Sequence, residues 1–173
     1  MNSEMQVLDE ILKAREQRAR TQSELINIFR TTLISFTLNI PGSEKNNPSF
    51  TKVCAIGIDL LEEELKKQNI KIINKVVRNS AAGAEAFLNV AADAISVKRI
   101  TVSIEEKNDL GRLFDLDVFT SSGELISRSQ LALSERKCLL CGESAKVCGR
   151  SRKHSIEELL NKVYDIIDIY TSN

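Results

Sequence analysis

The chain has 173 residues, 42% of them apolar, which suits one domain with a core of its own. Its 24 lysines and arginines balance 24 aspartates and glutamates, so the overall field that gathers nucleic acid or anionic lipid is excluded, and a phosphate partner must be held by local charge. No apolar run reaches the length of a membrane span and the N-terminus lacks the basic and apolar regions of a signal peptide, so a cytoplasmic protein is expected. In that reducing compartment four cysteines read as thiols or metal ligands rather than as a disulfide framework.

Met5, Leu8, Ile11 and Leu12 recur at helical spacing, and Leu25, Ile28 and Phe29 continue the pattern, which predicts an N-terminal helical segment over residues 1–30. Within it Arg15, Arg18 and Gln22 lie near one face; such a basic run is ordinarily a solvated surface. From Leu33 to Ile40 the pattern alternates, with Ile34, Phe36, Leu38 and Ile40 on one side and Ser35, Thr37 and Asn39 on the other. That is a half-buried strand, ended by Pro41-Gly42. Ser49 is the expected cap of a helix carrying Phe50, Val53, Ile56, Leu60, Leu61 and Leu65, on which Cys54 reads as packing. Ile70 to Val77 and Ala84 to Val90 form two β-rich segments around Ala81-Ala82-Gly83, as in a hairpin. Residues 93–106 fit both periods: Ile100, Val102 and Ile104 alternate, while Ala94, Val97, Ile100 and Ile104 form a helical stripe. Length favours the helix. A strand follows from Gly111, and a hairpin through Ser121-Ser122-Gly123 is expected to add Glu124 to Ser129 as a further strand.

The order strand, helix, strand, strand, helix, strand predicts an α+β protein of the split βαβ (ferredoxin-like) kind: an antiparallel sheet with helices on one face, flanked by N-terminal and C-terminal helices and a cysteine-containing loop. The expected organisation is a single domain over 1–173, with an α/β core at 31–130 and the cysteine loop and last helix at 131–173.

Two constellations carry chemistry. In Gly111-Arg112-Leu113-Phe114-Asp115-Leu116-Asp117-Val118 a strand sends Phe114, Leu116 and Val118 to one face and Asp115 and Asp117 to the other. Adjacent carboxylates repel unless they share a proton or a cation holds them, and Mg²⁺ favours such hard oxygen ligands. The plainer reading is a solvated acidic strand. In the split βαβ order the first strand lies between the third and fourth, which sets Ser35, Thr37 and Asn39 beside Asp115 and Asp117 on an uncovered face, with Glu85 and Asn89 nearby; a wet polar face without chemistry is the alternative. Downstream, Cys138 and Cys141 have the two-residue gap of a metal knuckle, and Cys148 and His154 can complete a tetrahedral Zn²⁺ site. Unmetallated thiols are the other reading. His154 also precedes a capping box of Ser155 and Glu158 that opens a final amphipathic helix with Leu159, Val163, Ile166 and Ile167 inward.

Gly111 to Val118, followed by Cys138-Leu139-Leu140-Cys141, Cys148, Arg150 and His154, resembles the citrate lyase holo-acyl-carrier-protein synthase family, the apo-citrate lyase phosphoribosyl-dephospho-CoA transferases. The likeness runs from Arg15-Glu16-Gln17-Arg18 and Leu33-Ile34-Ser35-Phe36-Thr37 to the last helix. It implies transfer of the prosthetic group from triphosphoribosyl-dephospho-CoA to a serine of the apo-acyl carrier protein of citrate lyase, with release of diphosphate and with neither nucleic acid nor membrane as partner. It makes Asp115 and Asp117 the catalytic pair and Mg²⁺ ligands, Arg15, Arg18, Lys98, Arg99 and Arg112 the phosphate-binding candidates, and Glu85 and Glu105 supporting groups.

The chain departs from the family at three points. Ala84 stands where proline is usual in the element containing Ser80, Gly83 and Glu85. Asn108-Asp109 replaces His-Pro, leaving no histidine base beside the motif. Ser134-Glu135 replaces two prolines ahead of Arg136, which is kept. Two other readings remain: a zinc-stabilised protein or nucleic-acid interaction module, and a metal-dependent nucleotidyltransferase with another acceptor.

Overall fold

The computed structural model describes residues 3–171. One uninterrupted helix, α1 (Ser3–Phe29), opens the chain and ends where Arg30 turns to positive φ. The core then runs β1 (Thr32–Leu38), α2 (Pro48–Lys67), β2 (Ile72–Ser80), β3 (Gly83–Val90), α3 (Ala94–Glu106) and β4 (Phe114–Phe119), with α4 (Ala145–Ser151) and α5 (Ile156–Thr171) closing the fold. The four strands form one antiparallel sheet in the order β2-β3-β1-β4. Among the described residues no helix is long and apolar enough to cross a membrane.

Local sequence accounts for most boundaries. The cap of α2 is Asn47 rather than Ser49: the Ser49 N–H donates to Asn47 Oδ1 at 2.9 Å, and Pro48, with no N–H to satisfy, takes the first helical position. Residues 94–106 are helical, as length suggested; Asp93 caps them by accepting from Ser96 N at 2.8 Å. Ser155 and Glu158 form the expected capping box at α5, with bonds of 2.8 and 3.1 Å.

One face of the sheet carries the main core. Ile34, Phe36, Leu88, Val90, Phe114, Leu116 and Val118 meet α2, α3 and the Val163, Ile166 and Ile167 stripe of α5. Cys54 is buried in this core, where burial pushes its thiol up to about 11, so it is packing as expected. The opposite face is not uncovered. The C-terminal half of α1 lies across it, and Leu25 and Ile26 pack on Leu33 and Phe87. Leu33 and Phe87 occupy positions that the alternating pattern assigned to the polar side, and their exposure would be costly; α1 covers them. Met5, Leu8 and Leu12 stay exposed at the other end of α1.

The extra strand at Glu124–Ser129 does not form. Phe119 and Leu125 make a single bridge, and Ile126 N donates to Val118 O at 2.8 Å. The next outward groups of β4, the N–H and C=O of Leu116, are already bonded to Glu105 and Lys98 of α3. A fifth strand therefore has nothing to pair with.

Gly111 starts the turn into β4 tight against α3. A Cβ there would clash with the Ile104 carbonyl oxygen and lie 3.1 Å from that of Glu105. Backbone atoms at a helix end cannot give way as a flexible side chain does. Gly111→Ala should therefore cost about 3 kcal/mol, the upper end of overpacking penalties, read as a lower urea midpoint with unchanged slope; an unchanged midpoint would show that the turn has room.

Candidate active site and metal-ligand cluster

β1 sits between β3 and β4, and its pairing sets the polar row of the α1-side face. Thr37 pairs with Glu85 on one side and Asp115 on the other, and Ser35 pairs with Phe87 and Asp117. Glu85, Thr37 and Asp115 thus lie in line across three strands, and Asp117 follows one step along β4. Asn39 falls beyond β1, where its N–H donates to Leu113 O at 2.8 Å.

β4 is an edge strand, and α3 completes it. Lys98 Nζ donates to Leu116 O at 2.9 Å and Glu105 Oε1 accepts from Leu116 N at 2.9 Å. Both charged side chains are nearly inaccessible, at 6% and 3% exposure. Burial lowers the Lys98 pKa, partly opposed by Glu105 and Asp117. Glu105 also meets Arg128, and Arg136 at 2.9 Å; the Arg136 guanidinium lies 3.5 Å from Asp115. A buried carboxylate requires such partners. Arg99, beside Lys98 in sequence, is exposed.

Asp115 is half-exposed, with 46% of its side chain accessible. Asp117 is more enclosed, and burial, with the neighbouring Asp115 charge, pushes its carboxyl up from 3.8 to about 6. A carboxyl with a raised folded pKa favours folding most when protonated, so this contribution is complete below the ordinary value and is lost as pH rises through about 6. Without Mg²⁺, Asp117→Asn should be more stable than the parent at pH 7 by roughly 2 kcal/mol and equal to it below pH ~4. Paired urea titrations across pH 4–7 read this; parallel curves for the two proteins would show that Asp117 is ordinary.

At the other end of the row Glu85 is fully buried between two arginines. Arg18 Nε donates to it at 2.5 Å and Arg78 Nε at 2.7 Å, while Arg78 also reaches Thr21 Oγ1 at 2.9 Å and lies over the Phe87 ring. Gln22 donates to Ser35 Oγ at 2.9 Å and Asn89 to Leu25 O at 3.5 Å. These bonds fasten α1 to the sheet. Arg15, one turn before Arg18, is exposed; the Lys45 pKa is lowered first by burial and then by the Arg15 charge.

Cys138, Cys141, Cys148 and His154 converge, with their ligand atoms all within 4.8 Å of one another. Cys141 Sγ lies 3.4 Å from both Cys148 Sγ and His154 Nε2, and all three cysteines are free thiols. These spacings are near the roughly 3.8 Å edge of a tetrahedron with 2.3 Å metal–sulfur bonds. Burial opposes a Cys138 thiolate, but the backbone N–H groups of Leu140 and Cys141 aim at its sulfur and bring its pKa below the ordinary value. The donor set, three sulfurs and one imidazole, can hold a metal ion. Arg112 ties this segment to the strand entry by donating to Cys138 O at 2.6 Å. Between the segment, the end of β1 and the start of α5 lies a cavity of about 1200 Å³, and Arg112, Arg128 and Arg136 line its inner side.

The structure therefore joins Asp115, Asp117, Glu105 and Lys98 at one edge and brings Arg112 and the four metal-type ligands beside it. Arg18 and Glu85 form a second group across the sheet with Arg15 above, and Arg99 stands apart. Reasoning from sequence missed Arg78 and Arg128 and gave Arg136 no place in the site. Arg78 had a readable signal, since it shares a strand face with its hairpin partner Glu85; Arg128 sat in a segment read as strand.

These features define a small α+β protein whose edge strand presents paired carboxylates beside a three-cysteine, one-histidine cluster. The model of the CitX family, apo-citrate lyase phosphoribosyl-dephospho-CoA transferase, matches residues 6–170, and the chain belongs to that family of transferases. A Vibrio cholerae protein described as a probable apo-citrate lyase phosphoribosyl-dephospho-CoA transferase is 36% identical over 165 residues, covering 95% of this chain and 93% of its own. The Shigella boydii apo-citrate lyase phosphoribosyl-dephospho-CoA transferase is 34% identical over 161 residues, 93% of this chain and 88% of its own. Protein CitXG of Haemophilus influenzae is 37% identical over 159 residues, 92% of this chain but 34% of that longer protein.

Proposed function

We propose that the chain transfers the phosphoribosyl-dephospho-CoA group from triphosphoribosyl-dephospho-CoA to a serine of the apo-acyl carrier protein of citrate lyase, releasing diphosphate, and that it does so in the cytoplasm as one domain on a split βαβ core. The observation that carries this reading is the placement of Asp115 and Asp117 on the half-open end of a polar sheet row, in a chain of this family. The serine oxygen forms a bond to the α-phosphorus, the bond from that phosphorus to the diphosphate breaks, and the serine proton passes to one of the two aspartates. Such a displacement depends on positioning and on stabilising charge at the phosphate oxygens.

Asp115 and Asp117 are the residues that would hold Mg²⁺; their adjacency and the raised Asp117 pKa fit a site that gains from a cation. When bound, Mg²⁺ supplies positive charge at the phosphate oxygens. Arg112 and Arg136 line the adjoining cavity and can orient the leaving diphosphate, while Arg15 and Arg18 suit a more distant phosphate beyond Thr37. Lys98 and Glu105 support the site by fixing β4, and Glu85 does so by fixing Arg18. Zn²⁺ at Cys138, Cys141, Cys148 and His154 is assigned a structural role, holding the segment that delivers Arg136.

The direct test incubates apo carrier subunit with triphosphoribosyl-dephospho-CoA, Mg²⁺ and the protein, and reads intact mass. A gain equal to the phosphoribosyl-dephospho-CoA group is expected; a carrier of unchanged mass overturns the reading.

A further inference from the structure

The cavity beside the cysteine segment is large for a protein ligand site, since pockets for drug-sized molecules run to about 1,000 Å³ and this one holds about 1200 Å³. Its lining is mixed. Five cationic side chains and three carboxylates face it, in a chain whose charges balance as a whole. Arg128 and Arg136 are paired with Glu105, but Lys137 and Arg152 have no carboxylate partner among the described residues, and both are exposed. Apolar side chains line it as well, among them Leu140 and Ile156, 37% and 57% exposed. At its inner end Arg136 reaches to 3.5 Å from Asp115.

Unpaired cations beside exposed aliphatic side chains suit a long ligand with an anionic middle and a less polar arm. We propose that this cavity binds the dephospho-CoA portion of the substrate, with Lys137 and Arg152 holding its diphosphate and Leu140 and Ile156 bearing its pantetheine arm. The assignment rests on the transferase reading above and adds to it the direction in which the substrate lies. The reacting phosphate sits at Asp115 and Asp117, the adenosine passes Arg136, and the arm runs outward along the cysteine segment toward α5. The metal-type cluster borders the same course: three of its four ligands sit in the 138–148 segment that lines the cavity. An exposed leucine and isoleucine gain burial only when something lies on them.

Dephospho-CoA itself is the probe, because it lacks the triphosphoribosyl group and cannot react. Calorimetric titration should show saturable binding to the parent protein. Lys137→Gln and Arg152→Gln should each weaken it about tenfold, the loss of one charge-assisted contact, with the effect shrinking as salt rises. The pair Leu140→Ser with Ile156→Ser should weaken dephospho-CoA by about tenfold yet leave adenosine diphosphate, which has no arm, unaffected. All four positions are exposed or nearly so, so the variants should keep the fold, as circular dichroism checks. No binding to the parent, equal binding by the parent and both glutamine variants, or equal weakening of both nucleotides by the serine pair would overturn the assignment. The two readings fail separately: carrier adduct with unaltered binding by the variants removes the cavity alone, and cavity binding without any carrier adduct removes the transferase alone.

Discussion

Asp115→Asn and Asp117→Asn should each slow transfer to the carrier serine by about 10²–10³-fold, the usual cost of removing one group that stabilises transition-state charge. Each change removes a negative charge with little change of volume, and neither aspartate holds the core together. Asp115 is half-exposed and, among the described residues, is ion-paired with Arg136 alone. Asp117 sits where its own charge is unwelcome. The two variants should therefore separate activity from stability: transfer collapses in both, while Asp117→Asn melts no earlier than the parent. Residues that function requires are often ones that the fold would be more stable without. Rates from the intact-mass assay with Mg²⁺, set beside thermal melts, give both readouts. A folded variant that transfers at the parent rate would remove its aspartate from the reaction.

Metal removal should be the other large effect. Purified protein should carry about one zinc per chain by elemental analysis, and a strong chelator should lower Tm. Losing even about 3 kcal/mol of the metal's contribution corresponds to a fall of roughly 6–12 °C for a chain of this size. Cys148→Ser should reproduce the fall, because Cys148 is a buried member of the cluster, 3.4 Å from Cys141 Sγ. The damage should reach transfer as well. Arg112 is anchored on Cys138 O, and Arg136 belongs to the segment that the cluster closes, with its carbonyl accepting from Ala145 N at 2.9 Å. Protein without zinc whose melting is indifferent to chelator would return the four residues to reduced thiols and a capping-box neighbour.

Much of this site was legible in the sequence because it is built from short-range rules. The period of two placed Asp115 and Asp117 on one face, the CxxC gap and one downstream Cys and His gave the cluster, and length decided for α3 over a strand. What the sequence hid depends on contacts across the chain. The α1-side face read as open because Ser35, Thr37, Glu85 and Asn89 dominate its pattern; Leu33 and Phe87, buried under α1, were the counter-signal. The extra strand was read from a turn at Ser121-Ser122-Gly123 whose chemistry is real, since Gly123 does adopt positive φ. It failed because side chains from α3, 11 and 18 residues away from Leu116 in sequence, took the groups it needed. Lys98 read as a phosphate ligand for the same reason: periodicity does not reveal that a lysine on an amphipathic helix faces a strand edge.

The capping of Leu116 by Lys98 and Glu105 also bears on how the molecule behaves at high concentration. An unpaired edge strand is a template for a neighbour's strand, and so for aggregation. Here a side-chain ammonium and a carboxylate occupy the middle of the β4 edge, leaving β2 as the other border of the sheet. β2 has an irregularity near its start, between Ile72 and Asn74, pairs regularly from there to Ser80, and carries Lys75, ion-paired to Glu62. The β4 border therefore offers no unbroken run of free backbone groups to another copy. Two charged side chains beside the proposed catalytic aspartates thus also guard the β4 border against intermolecular sheet growth.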